Sequence, residues 1–140
     1  DFAAPSWRRR FHLVDMKTGA VNSLLVAHGR GSDPAHTGWL ESFSNKPGSN
    51  ATSRGAYRTA GNYEGKYGRS MRLVGLDPEN SNAESRAIVI HPAWYVGEEM
   101  LAKYSKLGRS EGCFAVSKDD LSEALERLDG GCLIFAGKFH

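Results

Sequence analysis

The chain has 140 residues, 40% of them hydrophobic, with 16 glycines and 18 Lys plus Arg against 16 Asp plus Glu, a formal net charge of +2. That length supports one hydrophobic core, so a single domain over residues 1–140 is expected, and the composition is that of a turn-rich globular protein rather than a disordered tail. The small charge, with no basic stripe interleaved with aromatics, speaks against nucleic acid; the longest apolar runs, AIVI (87–90) and CLIFA (132–136), fall far short of the ~20 residues that span a bilayer.

Arg8, Arg9 and Arg10 read as the solvated start of a strand. In the segment 8–29 two apolar stretches are joined by Met16 to Gly19, with Thr18-Gly19 as the turn, which predicts a β-hairpin and puts His28 just past its second strand. From Gly29 to Ser53 the chain is nearly all Gly, Ser, Asn, Pro, His and Thr. A loop of that length in a small domain tends to be functional, and its polar residues, such as Asn45 and Ser53, are candidates for binding peptide amides.

GAYRTAGNY (55–63) and GRSMRLVGL (68–76) predict two strands divided by the turn EGKYG, followed by a polar loop over 77–85. RAIVIH (86–91) reads as a short buried strand. In the sequel PAWYVGEEMLAKYSKL, Val96, Met100, Leu101 and Tyr104 share a helical face, and Pro92 fits a first helical turn. SKDDLSEALERLDGG predicts a second helix with Ser117 as N-cap and Leu121, Leu125 and Leu128 on one face. GGCLIFAG, carrying Cys132, reads as a buried strand. The expected fold class is mostly β with two or three helices (α+β).

The run GRSEGCF (108–114) poses the chemical question. Cys113 is a nucleophile, a small core residue, or half of a bridge to Cys132; such a bridge would close a loop of about 20 residues and stabilise by roughly 3 kcal/mol. A nucleophilic thiol needs a base. His140 is terminal and His12 lies within a strand, which leaves His28, His36 and His91; His91 is best placed, because it ends a buried strand beside a helix start. Gly112 lets the backbone turn sharply, and the successive amides of Gly112 and Cys113 are candidate donors to an oxyanion. His28, His36, His91 and Cys113 lack the paired spacing of a zinc site, so neither metal nor cofactor is expected.

Four ordered blocks, LVAHGRGS (25–32), FSNKPGSNATSRGAY (43–57), RAIVIH and LGRSEGCFAV (107–116), resemble the L,D-transpeptidase (YkuD-like) catalytic domain, most closely its murein L,D-transpeptidase catalytic-domain-like branch. The resemblance implies a β-sandwich with a helix inserted before the catalytic cysteine loop. It also implies that Cys113 is acylated by a peptidoglycan stem peptide, with His91 as general base, the carbonyl of Pro92 orienting the imidazole and Gly112 shaping the oxyanion pocket. An amine of a second stem would then resolve the thioester. Arg109, Ser110, Glu111, His28 and Tyr57 are the candidate substrate-binding residues, Arg109 for a carboxylate and Glu111 for the ammonium of a diamino acid.

Two positions depart from the common pattern, Glu111 where many members have a second histidine and Ala115 where many have arginine. The 21 residues between His91 and Cys113 suggest that AWYVGEEMLAKYSKL forms a wall of the cleft. Two other readings stay open. One is a cysteine hydrolase on the same scaffold (L,D-carboxypeptidase, endopeptidase or amidase), and the other is a non-catalytic wall-binding module with a Cys113–Cys132 disulfide. The chain shows no charged-then-apolar leader, so a processed or trimmed form is expected; it is the resemblance that implies an exported protein of the periplasm or cell envelope, expected as a monomer.

Overall fold

Period-two alternation sets which strand faces are buried. In the computed structural model, which describes residues 1–139, β1 (Phe11–Val14) and β2 (Val21–Leu24) form the antiparallel hairpin expected at the start of the chain. Leu13 and Leu24 turn to the core, and Val14 and Val21 stay exposed. The Asp15 carboxylate accepts the amides of Lys17 and Thr18 and so shapes the turn. His140, set aside above as terminal, lies outside the described residues.

β3 (Gly55–Gly65) and β4 (Gly68–Gly75) make a second, longer hairpin, irregular between Thr59 and Asn62. With β5 (Val89–Pro92), β6 (Phe114–Val116) and β7 (Leu133–Ala136) they build a five-stranded sheet in the order β6-β5-β4-β3-β7. All its neighbours are antiparallel except β5 and β6. Beyond β2 the chain bridges Ala27 to Ala115 and Gly29 to Ser110, which attaches the small sheet to the outer side of β6. The two sheets share a core in which Leu13, Leu24 and Val26 meet Tyr57, Met71, Leu73, Ile90, Phe114 and Val116. The protein is thus mostly β with two helices, an α+β fold.

A parallel neighbour cannot be reached by a tight turn. Residues 93–113 therefore cross over, and α1 (Glu98–Tyr104) lies in that crossover above a second cluster of Leu25, Ala27, Ala93, Val96, Leu107 and Ala115. α2 (Leu121–Arg127) closes the main core with Ala124 and Leu125.

Several local expectations shift. Pro92 ends β5 instead of opening α1, which starts at Glu98; of the predicted helical face, Val96 precedes the helix and Tyr104 is exposed. The β5 strand begins at Val89, not Arg86, because Ala87 sits at φ +55°, outside the β region. Ser117 caps the turn before α2, its Oγ accepting the Asp120 amide at 3.0 Å. β7 is an edge strand with one face on the core, so Leu133 and Phe135 are exposed. Arg10 is not solvated but fully buried. Its Nε and Nη2 donate to the Val26 carbonyl at 3.1 and 2.7 Å, its Nη1 donates to Ala4, and its guanidinium lies 4.7 Å over the Phe2 ring.

Candidate active site

The parallel β5–β6 pair decides where the thiol lies. Ile90 is opposite Phe114 and His91 opposite Ala115. Carried back one residue, that register sets Cys113 beside Val89. Side chains alternate along each strand, so Cys113 and Ala115 share a face, and His91 shares it with them. Cys113 and His91 are then diagonal neighbours, roughly 8 Å apart at Cα from the strand spacing and rise. Both line one cleft of about 550 Å³ together with Arg109, Ser110 and Glu111.

His91 is buried, and its Nδ1 lies 2.9 Å from the Pro92 carbonyl oxygen. A carbonyl only accepts, so Nδ1 carries the proton and Nε2 is left with its lone pair. Tyr67, from the β3–β4 turn, stacks on the imidazole with centroids 4.3 Å apart and planes at 21°. Burial lowers the His91 pKa below the ordinary imidazole value; the bond to Pro92 opposes this and the nearby Lys66 ammonium adds to it.

Cys113 is only partly exposed, and its Sγ–H donates to the Ala87 carbonyl at 3.4 Å rather than to His91. Burial raises the thiol pKa. The Val89 amide and the Arg86 and Lys66 charges pull it back down, while Glu111 pushes it up, as a carboxylate beside a thiol must. A raised thiol and a lowered imidazole mean that the resting pair at neutral pH is uncharged.

Gly112 shapes the turn, though not as an oxyanion donor. It adopts φ +114°, and its amide donates to Ser110 Oγ at 3.2 Å. Ser110 Oγ in turn donates to the Cys113 carbonyl at 2.6 Å. Ser110 is buried and spends its hydroxyl on this loop, so its side chain positions the thiol rather than binding substrate.

Arg109 reaches across the cleft wall, its Nη1 donating to the Asp33 and Pro34 carbonyls at 2.6 and 3.3 Å. Glu111 faces Arg30 at 3.6 Å, an exposed pair at the mouth. The inserted helix is not itself the wall, since α1 lends the cleft no residue; Tyr95 before it and Arg109 after it do. The long loop contributes Arg30, Pro47, Gly48 and Asn50. Arg86, Lys66, Tyr67 and Tyr95 also line the cleft and were not singled out from sequence. From sequence, Arg86 reads as strand and Lys66 and Tyr67 as turn. A charged residue opening a buried strand and an aromatic at a hairpin tip were the available signals.

Among the described residues there is no cluster of three or more metal-ligating side chains. The family profile of the L,D-transpeptidase catalytic domain (YkuD_2) matches residues 1–136. The chain belongs to this family. No curated protein and no solved structure matches it.

Within this L,D-transpeptidase catalytic domain, two of the expected substrate-binding residues are elsewhere. Tyr57 is fully buried in the core, its hydroxyl donating to the Ser53 carbonyl at 2.6 Å, and burial pushes its pKa up to about 12. His28 is shut away between Arg10 and Asp33, 2.9 Å from Arg10 Nη2 through Nδ1 and 3.0 Å from Asp33 Oδ2 through Nε2. Arginine only donates, so Nδ1 accepts and Nε2–H donates to the carboxylate, which fixes a neutral imidazole. His36 is likewise occupied by the Leu107 carbonyl at 2.8 Å. Ser53 is buried under Arg86, and Asn45 pins the loop to Pro78, Ser81 and Asn82. The two cysteines are unbridged, which removes the Cys113–Cys132 disulfide.

The His28 triad predicts acid sensitivity. Burial, then the Arg10 charge, lower its pKa from 6.5 to about 4, with Asp33 opposing. In this window the unfolded chain binds the proton and the folded one does not. The stabilisation is therefore full above 6.5 and declines as pH falls toward 4, by up to about 3 kcal/mol. Urea midpoints at pH 7.5, 5.5 and 4.5 are expected to drop in sequence. Equal midpoints at pH 7.5 and 4.5 would count against a neutral His28.

Proposed function

We propose that this domain is a peptidoglycan L,D-transpeptidase that works in the cell envelope as a monomer and joins stem peptides through a thioester on Cys113. The observation that carries this reading is the His91 Nδ1 bond to the Pro92 carbonyl in the cleft that also holds the thiol. It leaves His91 Nε2 as a base with one orientation.

In the first half-reaction Nε2 takes the Sγ proton, and the sulfur attacks the carbonyl of the L-centre. The C–N bond to the D-residue breaks, and its amine leaves with the proton from Nε2. In the second half-reaction His91 removes a proton from the acceptor amine, which displaces the sulfur and restores the thiol. Reaching Nε2 requires the Cys113 side chain to rotate away from the Ala87 carbonyl. Arg30, Lys66 and Arg109 make the cleft mouth cationic, which suits the carboxylates of a donor stem, and Glu111 suits an acceptor ammonium.

Wild-type protein incubated with defined muropeptides is expected to give dimers and a thioester adduct on Cys113 by intact mass. Cys113→Ala should form products roughly 10⁴-fold more slowly or worse. Trimmed monomers without dimers would assign a hydrolase instead, and an alanine variant at the native rate would remove the reading altogether.

A further inference from the structure

Arg86 lies at the floor of the cleft and is only partly exposed. Its Nη1 donates to the Ser44 carbonyl at 3.1 Å and to Ser53 Oγ at 2.7 Å. Its Nη2 donates to Ser49 Oγ at 3.2 Å and to the Ala51 carbonyl at 2.7 Å. All four terminal guanidinium protons are therefore spent on the loop 44–53. Every one of those partners is neutral, and among the described residues no carboxylate lies within salt-bridge distance of Arg86. The cleft floor thus holds a clamped, uncompensated positive charge. It cannot swing out to grip a substrate as the exposed Arg30 can, so it acts through its field.

That field is aimed by the fold. A side-chain carbon built on Gly112 would come within 3.1 Å of Arg86 Nη2, so the guanidinium abuts the turn that presents the thiol. The next residue, Ala87, holds the thiol itself through its carbonyl. We propose that Arg86 is a positioning residue for the Cys113 nucleophile, clamped by loop 44–53 under the Gly112–Cys113 turn so that its fixed positive charge stabilises the sulfur once the proton has left. This rests on reading Cys113 as the nucleophile.

Other charged or titratable groups also face the thiol. They are His91 from β5, Lys66 and Tyr67 from the β3–β4 turn, Tyr95 from the crossover, Arg109 and Glu111 from the cysteine loop, and Arg30 across the mouth, while Tyr57 stays buried in the core behind the cleft. Lys66 and Arg109 sit on turn and loop segments at the rim, and Arg30 is engaged with Glu111 at 3.6 Å. Arg86 alone among the cations is held by both of its terminal nitrogens against the turn.

The test is the pH dependence of iodoacetamide labelling at Cys113, read by peptide mass spectrometry on folded wild type, Arg86→Gln and Arg86→Lys. Gln keeps donors for the loop carbonyls and loses the charge. Its labelling midpoint is expected to rise by about one pH unit, so that labelling near neutrality slows about tenfold. Lys keeps the charge, and its midpoint should stay within about 0.3 unit of wild type. A Gln midpoint that is unchanged or lowered overturns the proposal; a lowered one would mean that a loosened loop merely hydrates the thiol. Should the Gln variant not fold, a folded Lys variant displaced by a full unit overturns it equally. Labelling needs no stem peptide. A Gln shift in a protein that forms no acyl-enzyme would keep the role of Arg86 and discard the proposed reaction, and an active protein without the shift would do the reverse.

Discussion

His91→Asn is expected to slow acyl-enzyme formation roughly 10²–10⁴-fold while the domain stays folded. Asparagine can still place an amide donor near the Pro92 carbonyl that now accepts His91 Nδ1 at 2.9 Å, so the local hydrogen bond survives. What it lacks is the second nitrogen, the base atom that the Nδ1 bond to Pro92 leaves in one orientation. The variant should also recover activity as pH rises, because hydroxide then removes the proton that Nε2 would have taken from a thiol already raised by burial. In the wild type, the acid limb of kcat/KM is expected to report protonation of His91 and to lie below the ordinary imidazole pKa, because burial lowers it. An Asn variant as fast as wild type at pH 7, or a wild-type limb at or above 6.5, would exclude His91 as the base.

That Cys113 and His91 line one cleft was legible because it is a property of short motifs. A histidine near the end of one buried strand and a cysteine just before another need only a parallel register to come to one cleft, and β5 and β6 supply it. The crossover that parallel pairing demands also accounts for the 21 residues between them. The hairpins were legible for a similar local reason, through Thr18-Gly19 and the glycine-rich EGKYG turn. Pro92 was ambiguous in principle. A fixed φ near −65° and a missing amide suit a helix start and a strand end alike, and only the ladder to Val116 separates them.

Burial of polar groups was the part that sequence could not disclose. Arg10 looks like one of three surface arginines until the Val26 and Ala4 carbonyls and His28 close around it. His28, at a strand end beside a glycine, carries the same local signature as a cleft residue; its fate is set by Asp33, five residues on, and by Arg10, eighteen back. Arg86 is the mirror case. Its motif reads as a strand entry, and its chemistry comes from a loop some forty residues upstream. Each depends on partners distant in sequence, and hydrogen-bond satisfaction, unlike hydrophobic periodicity, leaves no period to read.

Gly112→Ala is expected to damage this domain twice over, through backbone strain and through a clash beside the thiol. The residue sits at φ +114°, where L side chains are strained. A Cβ there would fall 2.7 Å from the Ala51 carbonyl oxygen, 2.9 Å from Ile88 Cδ1 and 3.1 Å from Arg86 Nη2. The first of these is backbone and cannot step aside. Gly19→Ala is the comparison that separates the two costs, because Gly19 also has positive φ, at +78°, but nothing lies within 4 Å of its added carbon. Gly19→Ala should lose about 1 kcal/mol and Gly112→Ala about 2–4 kcal/mol in urea unfolding. The larger loss should come with a displaced thiol, since Ser110 Oγ ties the Gly112 amide and the Cys113 carbonyl into one turn. Acyl transfer should then fall more steeply in the Gly112 variant than its unfolded fraction explains. Equal destabilisation by the two substitutions would mean that the turn yields without resistance, and that Ala51, Ile88 and Arg86 do not hold the nucleophile in place.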